Sequence, residues 1–146
     1  MPLLDLHHVA LRTRDLQASE RFYIDVLGMT KVDRPEFDFP GAWLQMGQTM
    51  FHLMAGYAAK GPNGESYEGS AAVDHLALKA HDFDAMRENF DRHAVVYRQN
   101  DLRDFDIWQL FTNDPDGVVI ELNFHRLNEP DGAQGPNRAT LSKVSS

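Results

Sequence analysis

The chain contains no cysteine. Disulfide frameworks, thiolate metal sites and cysteine nucleophiles are therefore excluded, and the absence fits a reducing, cytoplasmic setting. No apolar run approaches the length needed to cross a bilayer. The N-terminus lacks the charged-then-apolar pattern of a secretory signal. Positive charge is also scarce, with 14 basic side chains against 22 acidic ones and a formal charge of -8. No basic stripe interleaved with aromatics is present, so neither nucleic acid nor a membrane is an expected partner. What remains is a hydrophobic fraction of 42% in 146 residues, enough for one domain with a sizeable core. Seven histidines without cysteine leave imidazole and carboxylate as the available metal ligands.

The most informative stretch runs from Asp114 to Asn123. Asp114-Pro115-Asp116-Gly117 is a tight-turn signal, and the β-branched run after it reads as a strand. Side chains alternate along a strand, so Val118, Ile120 and Leu122 share one face while Val119, Glu121 and Asn123 share the other. Glu121 is thus a carboxylate within an apolar strand. A lone buried charge is costly, so it needs a cation, a hydrogen-bond network or water.

The rest of the chain is a repeat. Leu6–Thr13 alternates like a strand, and Asp15 can cap a helix from about Leu16 to Leu27 that Gly28 stops. Strands follow around Met29–Asp33, Ala42–Met46 and Gln48–Ala55. Residues 56–70 are rich in turn formers and read as a linker or flexible loop. The order then restarts, with a strand at Val73–Lys79, a helix from Asp82 to about His93, and strands at Val95–Arg98, Ile107–Thr112 and Val118–Phe124. Residues 99–106 are left as a loop. His8-Val9-Ala10-Leu11 matches His75-Leu76-Ala77-Leu78, and Asp15 and Asp82 are separated by the same interval. The expected organisation is a single domain over residues 1–127, with β-α-β-β-β modules at about 5–56 and 72–125. Residues 128–146 form a polar tail without regular structure, mobile or draped on the surface.

The two matched histidines each have alanine two residues on, which leaves room beside the imidazole. Two four-stranded sheets curled around one another would bring His8, His75 and Glu121 to one point. Two neutral imidazoles and a carboxylate suit Zn, Fe, Mn, Ni or Co, with positions left open for substrate. A strand histidine that packs and hydrogen-bonds is the plainer reading of each residue; the duplication and Glu121 favour metal. His52 occupies in module one the place of Glu121 in module two, and is a fourth ligand, a proton shuttle, a group just behind the ligands, or a buried residue beside Met50 and Met54. His7 is expected to face away from His8. Arg12 and Lys79 share the ligands' faces and either hold an anionic group or are solvated. Trp43 and Trp108 line a pocket or join the core.

His8-Val-Ala-Leu, Asp15-Leu, Phe22-Tyr23, Val26-Leu27-Gly28 and Asp114-Pro-Asp-Gly with Ile120-Glu121 resemble the vicinal oxygen chelate superfamily over residues 5 to 125. That superfamily includes glyoxalase I, fosfomycin-resistance thiol transferases, extradiol dioxygenases and bleomycin-resistance proteins. The resemblance implies an α+β fold in which two βαβββ modules form an open, cup-shaped mixed-sheet barrel around one divalent metal ion per site. It places His8, His75 and Glu121 on ligand positions and makes Glu121 a candidate catalytic residue. It also implies a homodimer with shared active sites and a small-molecule substrate. Arg34-Pro35, Phe37-Asp38-Phe39, Gly41-Ala42-Trp43-Leu44, Phe51-His52-Leu53 and Gln109-Leu110-Phe111 look most like the glyoxalase I-like group, which implies lyase or isomerase chemistry on an oxygen-rich substrate. The chain departs from true glyoxalase I at His52, where those enzymes usually carry a carboxylate. Fe-dependent ring cleavage, thiol transfer to an epoxide, and non-catalytic sequestration of a drug or metabolite are the alternative functions.

Overall fold

The computed structural model describes residues 2–137. Two β-α-β-β-β modules follow one another, each forming a four-stranded mixed sheet. Contacts divide the chain into two compact units, Met1–Gly69 with Asp114–Asp116, and Ser70–Asn113 with Gly117–Ser146. Among the described residues no helix is long and apolar enough to cross a membrane.

In unit one the strands are β1 (His8–Arg12), β2 (Thr30–Val32), β3 (Gly41–Met46) and β4 (Thr49–Met54). Their order is β1-β4-β3-β2, with β1 parallel to β4 and the other pairs antiparallel. Alternation decides the two faces. Ala42, Leu44, Phe51 and Leu53 are buried, while His8, Ala10 and Arg12 are exposed. Helix α1 (Leu16–Glu20) starts at Asp15, whose side chain accepts from the Ala18 N–H. The expected α-helix does not continue to Leu27; Arg21–Val26 is a π-helical segment. An α and a π turn present the same apolar stripe in sequence. The wider π turn brings the neighbours Phe22 and Tyr23, with Val26, to the buried side. Tyr23 packs edge-on against Phe51, with centroids 5.5 Å apart. Each large side chain buried in this way contributes about 1.5–3 kcal/mol.

The Asp114-Pro-Asp-Gly turn is more than punctuation. Asp114 accepts from the Asp116 N–H at 2.9 Å, closing an Asx turn, and Gly117 adopts φ +85°. Both carboxylates are buried. The Tyr23 hydroxyl donates to Asp114 at 2.6 Å, and Asp116 accepts from the Arg14 N–H at 2.9 Å and from Ser19 Oγ at 3.3 Å. Burial first, then the Asp114 charge and hydrogen bond, drive the Tyr23 pKa far above the ordinary phenol value.

Unit two carries β5 (Leu76–Ala80), β6 (Tyr97–Leu102), β7 (Ile107–Asn113) and β8 (Val119–His125) in the order β5-β8-β7-β6. Helix α2 (Phe83–Arg92) lays Phe83 and Phe90 into a core with Leu110, Ile120, Leu122 and Phe124. Phe83 meets Phe124 at 5.1 Å and Trp108 at 5.6 Å. The strand expected to end at Arg98 runs on to Leu102, through Gln99, Asn100 and Asp101. Those polar residues show no apolar alternation, but the antiparallel pairing to β7 continues through Leu102 opposite Ile107.

The region expected as a linker holds a 3₁₀ turn at Gly56–Ala59 and a single bridge between Lys60 and Ser66. Beyond a 3₁₀ turn at Arg126–Asn128, residues 129–137 form neither helix nor strand but are fastened to unit two. The Glu129 carboxylate accepts from the Asp82 and Phe83 N–H groups at the start of α2. Asp84 accepts from the Gln134 and Gly135 N–H groups, and Arg87 donates to the Gly135 carbonyl at 2.6 Å. The expected tail's last residues, 138–146, lie outside the described residues.

Candidate functional site

In unit one the half-exposed sheet face carries His8 and Ala10 on β1, Trp43 on β3 and His52 on β4. Ala10 is in register with His52, and His52 with Trp43. The alanine methyl leaves the space that the rings fill. His52 lies between Trp43, 4.2 Å away at 4°, and His8, 4.1 Å away at 17°. Such pairs contribute about 0.5–1.5 kcal/mol each beyond their burial. His52 Nε2 is buried without a hydrogen-bond partner. Burial first, then the charges of His8, His7 and Arg34, lower the His52 pKa, so the ring stays neutral.

His7 does not face away as expected. It precedes β1 and escapes strand alternation, and its Nδ1 lies 2.9 Å from His8 Nδ1. One of these nitrogens donates and the other accepts. That contact engages His8 Nδ1. Arg12 stacks over Tyr67 at 4.3 Å.

In unit two His75 stands one residue before β5. Asp74 Oδ2 lies 2.7 Å from His75 Nδ1, which keeps the proton on Nδ1 and directs Nε2 elsewhere. A carboxylate behind an imidazole in this way orients the ring and strengthens its donor nitrogen. His75 Nε2 is 3.6 Å from Glu121 Oε1, too long for a hydrogen bond. The Asp74 hydrogen bond raises the His75 pKa, with a smaller contribution from Glu121, against the lowering effect of burial. Glu121 is opposite Ala77 on β5 and Phe111 on β7. Its Oε2 accepts from Asn123 Nδ2 at 2.8 Å. Asn123 Oδ1 accepts from Gln109 Nε2 at 2.9 Å, and Gln109 Oε1 from Asn100 Nδ2 at 2.8 Å.

The proposed ligands therefore fall into two pairs, His8 with His52 and His75 with Glu121. Among the described residues no group of three or more His, Cys, Asp or Glu side chains is assembled to hold a metal ion. Ala10 opposite His52 and Ala77 opposite Glu121 make the two pairs equivalent by register. Sequence reasoning missed Asp74, Asn123, Gln109 and Asn100. Asp74 was signalled by its place directly before a candidate ligand. The amides were signalled only by strand register, which alternation does not set for a polar run.

Comparison with known proteins agrees with this architecture. Residues 5–122 match the Glyoxalase/Bleomycin resistance protein/Dioxygenase superfamily, and the chain belongs to it. It is 28% identical over 127 residues to Glyoxylase I 4 of Arabidopsis thaliana, covering 82% of this chain and 70% of that protein. It is 30% identical over 125 residues to the uncharacterized protein YaeR of Escherichia coli, covering 82% and 95%. A crystal structure of a fosfomycin resistance protein variant from Listeria monocytogenes, complexed with Mn(II) and 1S,2S-dihydroxypropylphosphonic acid, superposes with TM-score 0.68. That match has 13% identity and covers 84% of this chain and 92% of the other.

The residues fit a divalent ion on their own chemistry. His52 has a buried, unpartnered ring nitrogen, a state that costs about 1–3 kcal/mol when nothing ligates it. His75 has its Nδ1 tied to a carboxylate. Imidazole nitrogens with one carboxylate are the donors that Zn, Ni, Co, Mn and Fe accept.

Proposed function

We propose that the chain is a divalent-metal-dependent enzyme with glyoxalase I-like lyase or isomerase chemistry on a small, oxygen-rich substrate. His8, His75 and Glu121 are the ligands, and His52 adds a further nitrogen. The observation that carries the reading is the Asp74–His75–Glu121 arrangement, in which a carboxylate-backed imidazole faces a second carboxylate. A bound metal supplies Lewis acidity that polarises a substrate carbonyl or hydroxyl. Glu121 Oε1 would take the proton from the hydroxyl-bearing carbon beside that carbonyl and deliver it to the former carbonyl carbon, while the hydroxyl proton passes to the former carbonyl oxygen. Asp74 holds His75 in the tautomer that leaves Nε2 unprotonated. Burial and neighbouring positive charge lower the His52 pKa and make it a weaker base than a free imidazole. The chain acts as a homodimer with shared sites, each ion drawing its ligands from one chain or from two.

Incubation of metal-loaded protein with glutathione hemithioacetals and related hydroxycarbonyl compounds in deuterated water tests this reading. Deuterium enters beside the carbonyl, and the exchange is lost on chelation and in Glu121→Gln. Ligand binding without metal dependence or exchange would instead make the chain a sequestering protein, and oxygen uptake with catechols would make it a ring-cleaving dioxygenase.

A further inference from the structure

The polar face of the unit-two sheet carries a continuous amide chain. Asn100 lies opposite Gln109, and Gln109 opposite Asn123, across three adjacent strands. Each side chain donates to the next, ending on Glu121 Oε2. The direction of this chain is not arbitrary. An ionised carboxylate only accepts, so Asn123 must present its NH₂ to Glu121 and its carbonyl to Gln109. Gln109 must then present its NH₂ to Asn123 and its carbonyl to Asn100. One charge at the end thus sets the orientation of three neutral amides. Dipoles aligned head to tail reinforce one another where water is excluded, and Gln109 is only 6% exposed.

We infer that Asn123, Gln109 and Asn100 are positioning residues for Glu121. They tie Oε2 to Asn123 and so turn Oε1 toward His75, where it is the better placed oxygen to ligate or to take a proton. The side chain is held in one rotamer before anything binds. The inference rests on Glu121 having the role assigned above, but the relay itself is a property of the metal-free chain. Unit one has no counterpart, because Met54 and Gly41 stand at the register positions of Asn123 and Gln109.

The test uses Gln109→Met, which keeps length and volume and removes both hydrogen bonds. Asn100→Ala is the second variant, at a half-exposed position. In ¹⁵N-labelled, metal-free protein the Asn123 side-chain amide protons are inequivalent and exchange slowly with water, and Gln109→Met speeds that exchange. Mn(II) affinity, measured by calorimetry, falls about 10–100-fold in Gln109→Met, as for other groups that orient a ligand, and by less in Asn100→Ala. A packing role for Gln109 predicts wild-type behaviour of the methionine variant in both readouts, and that result overturns the inference. If the wild type takes up no Mn(II) but the exchange pattern is as described, the metal reading falls while the positioning of Glu121 stands.

Discussion

The two modules share a topology and differ in chemistry. In both, a histidine precedes an alanine that lies in register with the key residue of the closing strand. In unit one that residue is His52, in a layered stack of rings with one nitrogen left unpartnered. In unit two it is Glu121, held by amides and facing a carboxylate-backed imidazole. The repeated scaffold carries a stack of rings around His52 in one half and an oriented carboxylate in the other. The same register position therefore holds two different groups: a carboxylate oriented by Asn123 in unit two, and an imidazole stacked between two rings in unit one.

Substitutions at the paired positions test that division. Glu121→Ala abolishes divalent metal uptake and proton exchange. His52→Phe keeps a ring between Trp43 and His8, so it weakens metal affinity without lowering the thermal stability of the metal-free protein. Replacing a buried group that has no partner is nearly neutral or stabilising. A clear loss of metal-free stability in His52→Phe would mean that the ring nitrogen has a structural partner.

Tyr23→Phe probes unit one away from the site. It leaves the buried Asp114 carboxylate short of a donor and lowers stability by about 1–3 kcal/mol in denaturant unfolding. The pH dependence has a definite sign. The folded-state pKa of Tyr23 is raised, so its stabilising contribution is fully present below the unfolded phenol value of about 10 and is lost as pH climbs above it. Tyr23→Phe makes the alkaline loss of stability shallower. Tyr97, pushed up to about 12 by burial and its bond to Asp91, keeps a residual slope in the variant.

The smallest effect is expected at Asp74. Asp74→Asn removes the leading cause of the raised His75 pKa, so the His75 titration followed by NMR in metal-free protein moves to lower pH. An unchanged midpoint would show that Asp74 does not hold the imidazole.

Much of this was legible in the residues. Period-two alternation fixed which face of each strand is buried, and His8-Val-Ala-Leu against His75-Leu-Ala-Leu exposed the duplication. The α+β class and the module order followed. The structure places His8 and His52 in one unit and His75 and Glu121 in the other. Features that depend on partners remote in sequence were not legible. The buried carboxylates of Asp114 and Asp116 are satisfied by Tyr23, Ser19 and Arg14, and a turn motif gives no sign of such partners. The π-helical segment was hidden because its stripe is also an α stripe. The end of β6 was hidden because Gln99, Asn100 and Asp101 are poor strand formers that pairing holds in place, and Asn100 there begins the amide relay.

We propose that His8 and Glu121 ligate a common ion. This is tested most directly by the metal content of protein purified without added metal, compared across wild type, His8→Ala from unit one and Glu121→Ala from unit two. About one divalent ion per chain is expected in the wild type, with its loss in both variants, because ligands fold and bind as a set. Wild-type protein without bound metal and without thermal stabilisation by any added divalent ion would contradict it, as would loss in only one of the two variants.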